Sequence, residues 1–187
     1  MKILAIVITV LFSTSLVAQS WLDKECPDLD QEINVVDFES SKDRNVLDIL
    51  INQSDEILVN GEAMPKLNSE IPFKEFVLEF VTNPNNNKTK AESPSKAFIR
   101  LSSYNKTTSK LEKLDTYIKE VYLYLWNTEG QDKYKSSYAE LSCKKREKIV
   151  KSFPLRLVTD KSLKSNLNQK PANRIGVPPF GGDVKEN

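Results

Sequence analysis

The sequence contains no histidine, two cysteines and five glycines among its 187 residues. Without histidine there is no Ser-His-Asp or Cys-His nucleophile arrangement and no His-ligated zinc or iron site. Two cysteines that lie far apart exclude a four-cysteine zinc site and the CxxC redox motif. With so few glycines and neither a GxGxxG nor a P-loop pattern, no phosphate cradle is expected. These absences predict a protein that is not an enzyme and that binds no metal and no cofactor.

The chain also lacks an excess of charge of one sign. Its 27 Lys and Arg residues are balanced by 26 Asp and Glu residues, for a net charge of +1. A neutral chain gives no electrostatic reason to expect nucleic-acid binding. One local run is basic and consists of Lys144, Lys145, Arg146, Lys148 and Lys151. We interpret this run as a solvated helix face.

Only one long apolar run occurs, from Ile3 to Ala18, and it follows Lys2. This pattern predicts a signal peptide over residues 1–20, cleaved after Ala18 or Ser20. A short membrane anchor is the alternative, although a spanning helix needs roughly 20 apolar residues and the run falls short of that length. Both alternatives predict a periplasmic location, with the chain anchored in the inner membrane if the segment is retained.

The next segment, residues 21–44, is acidic and mixed, and predicts a linker with one short strand around Val35 and Val36. It contains Cys26, while Cys143 lies far along the chain. After export both cysteines would lie in an oxidising compartment, where a disulfide between them would tie this segment to a later helix. Two unpaired cysteines are the alternative.

Short runs of branched apolar residues predict strands from Asn45 to Asn52, from Ile57 to Val59 and from Ala97 to Leu101. The first two form a hairpin, and Asn60-Gly61 tolerates the positive φ of a second tight turn. Between the hairpin and the third strand, residues 85–96 predict a polar loop with nothing to bury.

Three stretches have the spacing of helices. The first carries its apolar face at Phe73, Phe76, Val77, Phe80 and Val81 and ends before Pro84. The second carries Leu111, Leu114, Ile118, Val121 and Leu125 and is predicted to end near Gly130. For the third, Ser137 and Glu140 have capping-box spacing, and Pro154 ends the helix.

Leu155 to Val158 predicts the last strand, and residues 160–187 predict a flexible C-terminal tail. The order strand, strand, helix, strand, helix, helix, strand predicts one α+β domain over residues 45–159. We expect a two-layer sandwich in which helices cover one face of a small mixed sheet.

Two features of the predicted helices and turns are interpreted as structural. The carboxylate pairs Asp55-Glu56 and Glu112-Asp115 fall on a turn and a helix surface, whereas acid-base catalysis needs carboxyls that converge in a cleft. An aromatic group could form a binding platform, but aromatics on a long helix are more often core and rim. Its members are Tyr117, Tyr122, Tyr124 and Trp126.

Several stretches, taken in order, resemble the periplasmic domain of ExbD/TolR-type biopolymer transport proteins, in the longer form found in Bacteroidetes. They are Asn45–Asn52, Asp55–Met64, Phe73–Val77, Thr82–Asn86, Ser137–Ser142, Ile149–Lys151 and Pro154–Leu157. Ala97 to Ser102 resembles the family's strand, and Tyr117 to Trp126 its long helix. The resemblance spans roughly residues 45–158 and rests on the order and spacing of these motifs.

The resemblance implies a transmembrane transporter complex in which an ExbB-like channel protein and such a subunit use the proton gradient to do work on a TonB-like protein. A homodimer is compatible with it. The family's single membrane helix carries a proton-relaying aspartate, but Ile3 to Ala18 contain no acidic residue. This chain should therefore not drive proton flow by itself. It is expected to act through an exposed edge strand formed by Leu155, Arg156, Leu157 and Val158.

Other functions stay open at this point, because a fold does not fix a function. The main alternative is a freestanding exported binding module of the same fold without a transport role. A hydrolase is disfavoured because the sequence shows no nucleophile-base pair.

Overall fold

A five-stranded mixed sheet lies at the centre of the fold. The computed structural model describes Cys26, residues 35–105 and residues 109–159. The strands are β1 (Val46–Ile51), β2 (Ile57–Val59), β3 (Glu62–Ala63), β4 (Phe98–Ser103) and β5 (Leu157–Thr159). The α-helices are α1 (Val35–Glu39), α2 (Glu70–Thr82), α3 (Ser109–Tyr134) and α4 (Cys143–Ser152). Short 3₁₀ turns lie at Asp43–Asn45, Pro65–Asn68, Pro94–Lys96 and Tyr138–Glu140. The predicted signal segment and C-terminal tail lie outside the described residues.

The strand order across the sheet is β3-β2-β1-β4-β5. β1 is antiparallel to β2 and β2 to β3, whereas β4 runs parallel to both β1 and β5. The chain order allows the parallel pairing, because α2 precedes β4, and α3 and α4 lie between β4 and β5, so the chain can return before each of these strands begins.

Helices α2 and α3 cover one face of the sheet. Alternate residues of β1 (Leu47, Ile49 and Ile51) are buried, which is the period-2 pattern of a strand with one covered face. They share one core cluster with the apolar stripes of α2 and α3. α4 packs against α3 through a second cluster that contains Ile149 and Val150. The expected α+β sandwich of two layers is confirmed.

The predicted hairpin is present and continues into a third strand that the sequence did not indicate. Asn60 and Gly61 have φ angles of 50° and 88°, the left-handed values that a two-residue hairpin turn requires. The Asn60 side chain also accepts a hydrogen bond from the backbone N–H of Asp48 at 3.1 Å. The chain leaves the turn as β3, which pairs with β2.

The loop after α2 is folded around one buried side chain, so the expectation that it buries nothing is wrong. Asn83 is the C-terminal cap of α2, and its φ of 42° is left-handed. The Asn83 amide donates hydrogen bonds to the carbonyls of Asn87 at 3.0 Å and Ala91 at 2.8 Å. Its oxygen accepts the Asn87 N–H at 2.7 Å. Ala91 is fully buried as a result.

Two helix boundaries differ from the sequence prediction. α3 continues past Gly130 to Tyr134 and ends at Lys135, which has a φ of 55°. Gly130 serves close packing instead, because a Cβ there would lie 3.0 Å from the Ser136 carbonyl oxygen. The capping box at Ser137 and Glu140 is present, but it begins a 3₁₀ turn. Leu141 is extended, so α4 begins only at Cys143.

The expected short strand around Val35 and Val36 is wrong, because these residues begin the short helix α1. The backbone N–H of Ser40 donates to the Val36 carbonyl at 3.0 Å, so this segment forms a hydrogen bond within one helical turn. α1 places the Phe38 ring edge-on against Phe98, with the ring centroids 5.7 Å apart. Phe98 lies on the sheet face opposite the main core, so α1 partly covers that second face.

We predict that acid weakens the attachment of the loop after α2. The Glu92 carboxylate lies 2.7 Å from the Lys42 ammonium and 2.6 Å from that of Lys96. These hydrogen bonds, chiefly that from Lys42, lower the pKa of Glu92 from 4.5 to about 2. A depressed pKa means that the stabilisation is complete above the unfolded-state value and is lost as the pH falls from about 4.5 toward 2.

Urea unfolding curves of the wild type and Glu92→Gln, measured above and below this pH window, test the prediction. We expect acid to lower the wild-type midpoint more than the Glu92→Gln midpoint. Equal acid sensitivity of the two proteins would contradict the assignment to Glu92.

Candidate interaction edge

β5 forms one edge of the sheet and is held there from both faces. It pairs with β4 on one side, and no described strand lies on its other side. Leu155 and Leu157 pack against the main core. On the second face, the Arg156 guanidinium lies 4.9 Å from the centre of the Phe98 ring, and Val158 is buried. The structure thus brings together all four residues of the predicted edge, although only Leu157 and Val158 fall within the assigned strand.

The backbone of Leu157 points away from the sheet. The carbonyl oxygen of Arg156 accepts a hydrogen bond from the Ile99 N–H at 2.9 Å, so Arg156 faces β4. Successive residues of an extended strand direct their backbone groups to opposite sides. The N–H and C=O groups of Leu157 therefore lie on the outer side of the edge, where an added strand would pair.

The opposite edge of the sheet is less suited to strand addition. β3 contains only Glu62 and Ala63, and both are exposed. A very short edge strand that carries a charged side chain is a common way to prevent edge-to-edge pairing. β5 is also short, but two apolar side chains and a cation over an aromatic ring fix its position.

The four aromatic residues of α3 do not form one exposed platform. Tyr122 is buried, Tyr124 is 59% exposed, and Tyr117 packs against Phe73 with ring centroids 6.1 Å apart. Trp126 has a role close to β5, because its indole N–H donates to the Phe153 carbonyl oxygen at 2.8 Å. This bond ties the connection between α4 and β5 to α3.

An ion pair lies on the second face of the sheet beside β5. The Arg100 guanidinium binds both carboxylate oxygens of Asp48, with its Nε 2.7 Å from one of them. The two residues are direct partners in the parallel pair of β1 and β4. A bidentate pair of this kind is specific in geometry, so it favours the observed register of the two strands.

Cys26 and Cys143 are joined by a disulfide. Cys26 is 4% exposed, so the N-terminal segment is seated on the domain at this point. Next to the bond lies Arg146, whose Nη1 atom is 3.8 Å from the Cys26 sulfur. The disulfide therefore attaches the segment to the start of α4.

Arg146 is not part of a solvated face, so the interpretation of the basic run is wrong at this position. Arg146 is 2% exposed, whereas Lys144, Lys145, Lys148 and Lys151 are exposed. Its guanidinium lies 5.6 Å from the centre of the Tyr138 ring and donates to the Ala139 carbonyl. Burial raises the pKa of Tyr138 to about 12, which keeps this ring a neutral partner for the cation. Helical spacing was the missed signal, because Arg146 shares a face with Ile149 and Val150.

The described residues contain no group of three or more acidic or cysteine side chains placed to hold a metal ion. Asp55, Glu56 and Glu112 are exposed, and Asp115 pairs with Lys119 at 2.7 Å. Within the same part of the chain, no helix has the length and apolar character needed to cross a bilayer. The apolar run from Ile3 to Ala18 lies outside it.

Comparison with known proteins identifies no relative. No protein-family model, no curated protein and no solved structure matches this chain.

Proposed function

We propose that this chain is an ExbD-like component of a TonB-type biopolymer transport complex, acting through its α+β domain as a protein-interaction module. The observation that carries the proposal is the edge strand β5, whose residue Leu157 directs its backbone groups outward. Further support comes from the resemblance of residues 45–158, since the order of its motifs follows the strands and helices of the domain.

The interaction would be strand addition. An extended segment of a TonB-like partner would pair with the outer side of β5 through main-chain hydrogen bonds, and side chains on alternate positions would supply specificity. On one face of the sheet, the side chains of the added strand would lie beside Arg156 and Val158. On the other face they would lie beside Leu155 and Leu157.

Proton relay would belong to another subunit. The apolar run from Ile3 to Ala18 contains no acidic residue, and an ionisable group within the membrane is what makes a relay possible. In this proposal an ExbB-like channel protein and a second, aspartate-bearing subunit move the protons, and this chain presents the docking edge.

Leu157→Pro tests the edge directly. Proline removes the outward N–H of Leu157 but leaves the Arg156 carbonyl bonded to β4, and proline is tolerated on edge strands in this orientation. We expect roughly a five- to tenfold loss of affinity for the periplasmic segment of a TonB-like partner, the value of the one main-chain hydrogen bond that this N–H would donate. Affinity is measured by titration with the purified domain.

Leu157→Ala is the matched control, because it trims the same side chain and keeps the N–H. It should bind nearly as well as the wild type, and urea unfolding should show both variants folded. Equal affinity of the proline and alanine variants would show that the partner does not pair with this strand.

Whether residues 1–20 are cleaved or retained distinguishes this proposal from a freestanding exported module. The full chain is expressed in a bacterial host, and its intact mass is determined in membrane and periplasmic fractions. A full-length mass in the membrane supports the anchored subunit. A shortened soluble chain that binds neither an ExbB-like nor a TonB-like protein supports the freestanding module.

A further inference from the structure

Three exposed lysines form a stripe along α4. Lys144, Lys148 and Lys151 are spaced at i, i+4 and i+7, which places them on one face of the helix. This face is opposite the buried side chains of Arg146, Ile149 and Val150. All three lysines are exposed, and the side chain of Lys151 retains 68% of its accessible surface.

The stripe is a local excess of positive charge on a nearly neutral chain. α4 has five basic residues and one acidic residue, Glu147, which lies 2.8 Å from Lys151. Arg146 is buried, and the ammonium of Lys145 lies 5.0 Å from the centre of the Tyr134 ring. The accessible charge on the outer side of α4 is therefore carried chiefly by the stripe.

The disulfide places this stripe close to the apolar N-terminal segment. Cys143 is the first residue of α4, and only seven residues, 19–25, separate Ala18 from its partner Cys26. Seven residues span at most about 25 Å. Without the disulfide, the first point after the apolar segment at which the chain is attached to the domain would be α1. The sixteen residues 19–34 would then form the tether, and that many residues reach about 55 Å.

We propose that the lysine stripe of α4 docks on anionic lipid headgroups of the membrane that holds the apolar segment. The proposal rests on the anchored form of the proposed function. Each lysine held near an anionic lipid surface strengthens binding by about fivefold. A short tether makes such weak contacts effective, because it keeps the stripe at a high local concentration at the membrane. The disulfide thus strengthens docking by shortening the tether, by roughly threefold in local concentration.

Residue-resolved acetylation of the full chain in lipid nanodiscs tests this. The chain is reconstituted in discs of phosphatidylcholine alone or of phosphatidylcholine mixed with phosphatidylglycerol, and treated with an amine acetylating reagent. Mass spectrometry gives the rate for each lysine. We expect Lys144, Lys148 and Lys151 to react at least about fivefold more slowly in the anionic discs. Lys66 and Lys88, exposed lysines on the 3₁₀ turn before α2 and on the loop after it, are the internal controls and should not change.

Two further arms test the cause of the protection. High salt should remove it, because salt screens exposed charges. The double variant Cys26→Ser/Cys143→Ser should reduce it by roughly threefold, because its tether is longer. Undiminished protection in this variant would overturn the role of the disulfide.

Equal rates in both kinds of disc would overturn lipid docking while leaving the anchored subunit intact. Protection that arises only when an ExbB-like protein is added would assign the stripe to a protein contact instead. Failure of the full chain to enter the discs would overturn the anchored form of the proposed function and the lipid docking together.

Discussion

Reducing the Cys26–Cys143 disulfide should lower the free energy of unfolding by about 2–5 kcal/mol. The two cysteines are 117 residues apart in sequence, so the bond closes most of the domain into one loop. In the chain-entropy model, a loop of this size restricts the unfolded chain strongly and places the effect near the upper end of the range. Urea unfolding with and without a thiol reductant measures the difference.

The variant Cys26→Ser/Cys143→Ser is the control for this experiment. Its unfolding curve should match that of the reduced wild type and should not respond to the reductant. The urea dependence of the unfolding free energy should also be steeper than in the oxidised protein, since an unrestrained chain exposes more surface. Coincident curves for the oxidised and reduced wild type would show that the bond does not form in solution.

This dependence would link the stability of the domain to its compartment. Disulfides persist in oxidising compartments and are rare in the cytosol, so the full stability would be reached only in an oxidising compartment. The bond also fixes the N-terminal segment at the start of α4. The seating of the N-terminal segment on the domain would then depend on one covalent bond.

The sequence predicts the elements of this fold well where one local rule decides them. The branched residues of β1 and β2 indicate a hairpin, and Asn60-Gly61 indicates the tight turn that follows β2, both from nearest-neighbour information alone. Four of the five residues predicted for the apolar face of α2 are buried, and the fifth, Phe76, is partly buried. In these places propensity, periodicity and turn chemistry agree, which makes them predictable.

Elements whose conformation depends on distant residues could not be predicted in the same way. Val36 lies in α1, which packs Phe38 against Phe98 of β4. Gly130 stays within α3, where the carbonyl oxygen of Ser136 packs closely against it. Arg146 is buried because Tyr138 and the seated Cys26 cover it. The partners in these contacts have no signature within a short window of sequence, although the helical spacing of Arg146 with Ile149 and Val150 does indicate that it lies on the buried face of α4.

The candidate site was predictable in part. The apolar residues from Leu155 to Val158 indicate a strand, and the structure places that strand at an edge. The orientation of its backbone follows from its pairing with Ile99 in β4. A parallel register of this kind joins residues far apart in sequence, so no local pattern could have singled out Leu157 as the outward residue.

Replacing Phe73 with alanine should be the most destabilising of the core truncations in α2, at about 3–5 kcal/mol. Phe73 is fully buried, and its ring lies 6.1 Å from that of Tyr117 on α3. A cavity at this position would remove contacts with the neighbouring helix as well as with the sheet. Urea unfolding of Phe73→Ala gives the loss directly.

Phe76→Ala is the matched variant, because the helical spacing predicts both phenylalanines on the buried face. In the structure Phe76 is only partly buried at the margin of the core. It retains contact with solvent, so its truncation should cost about 1–2 kcal/mol, below the value of a fully buried phenylalanine. Equal losses for the two variants would contradict the depth at which the structure places them. A larger loss for Phe73 would show that the free energy lost on truncation depends on how deeply a side chain is buried between α2, α3 and the sheet. Helical periodicity alone would give both residues the same loss.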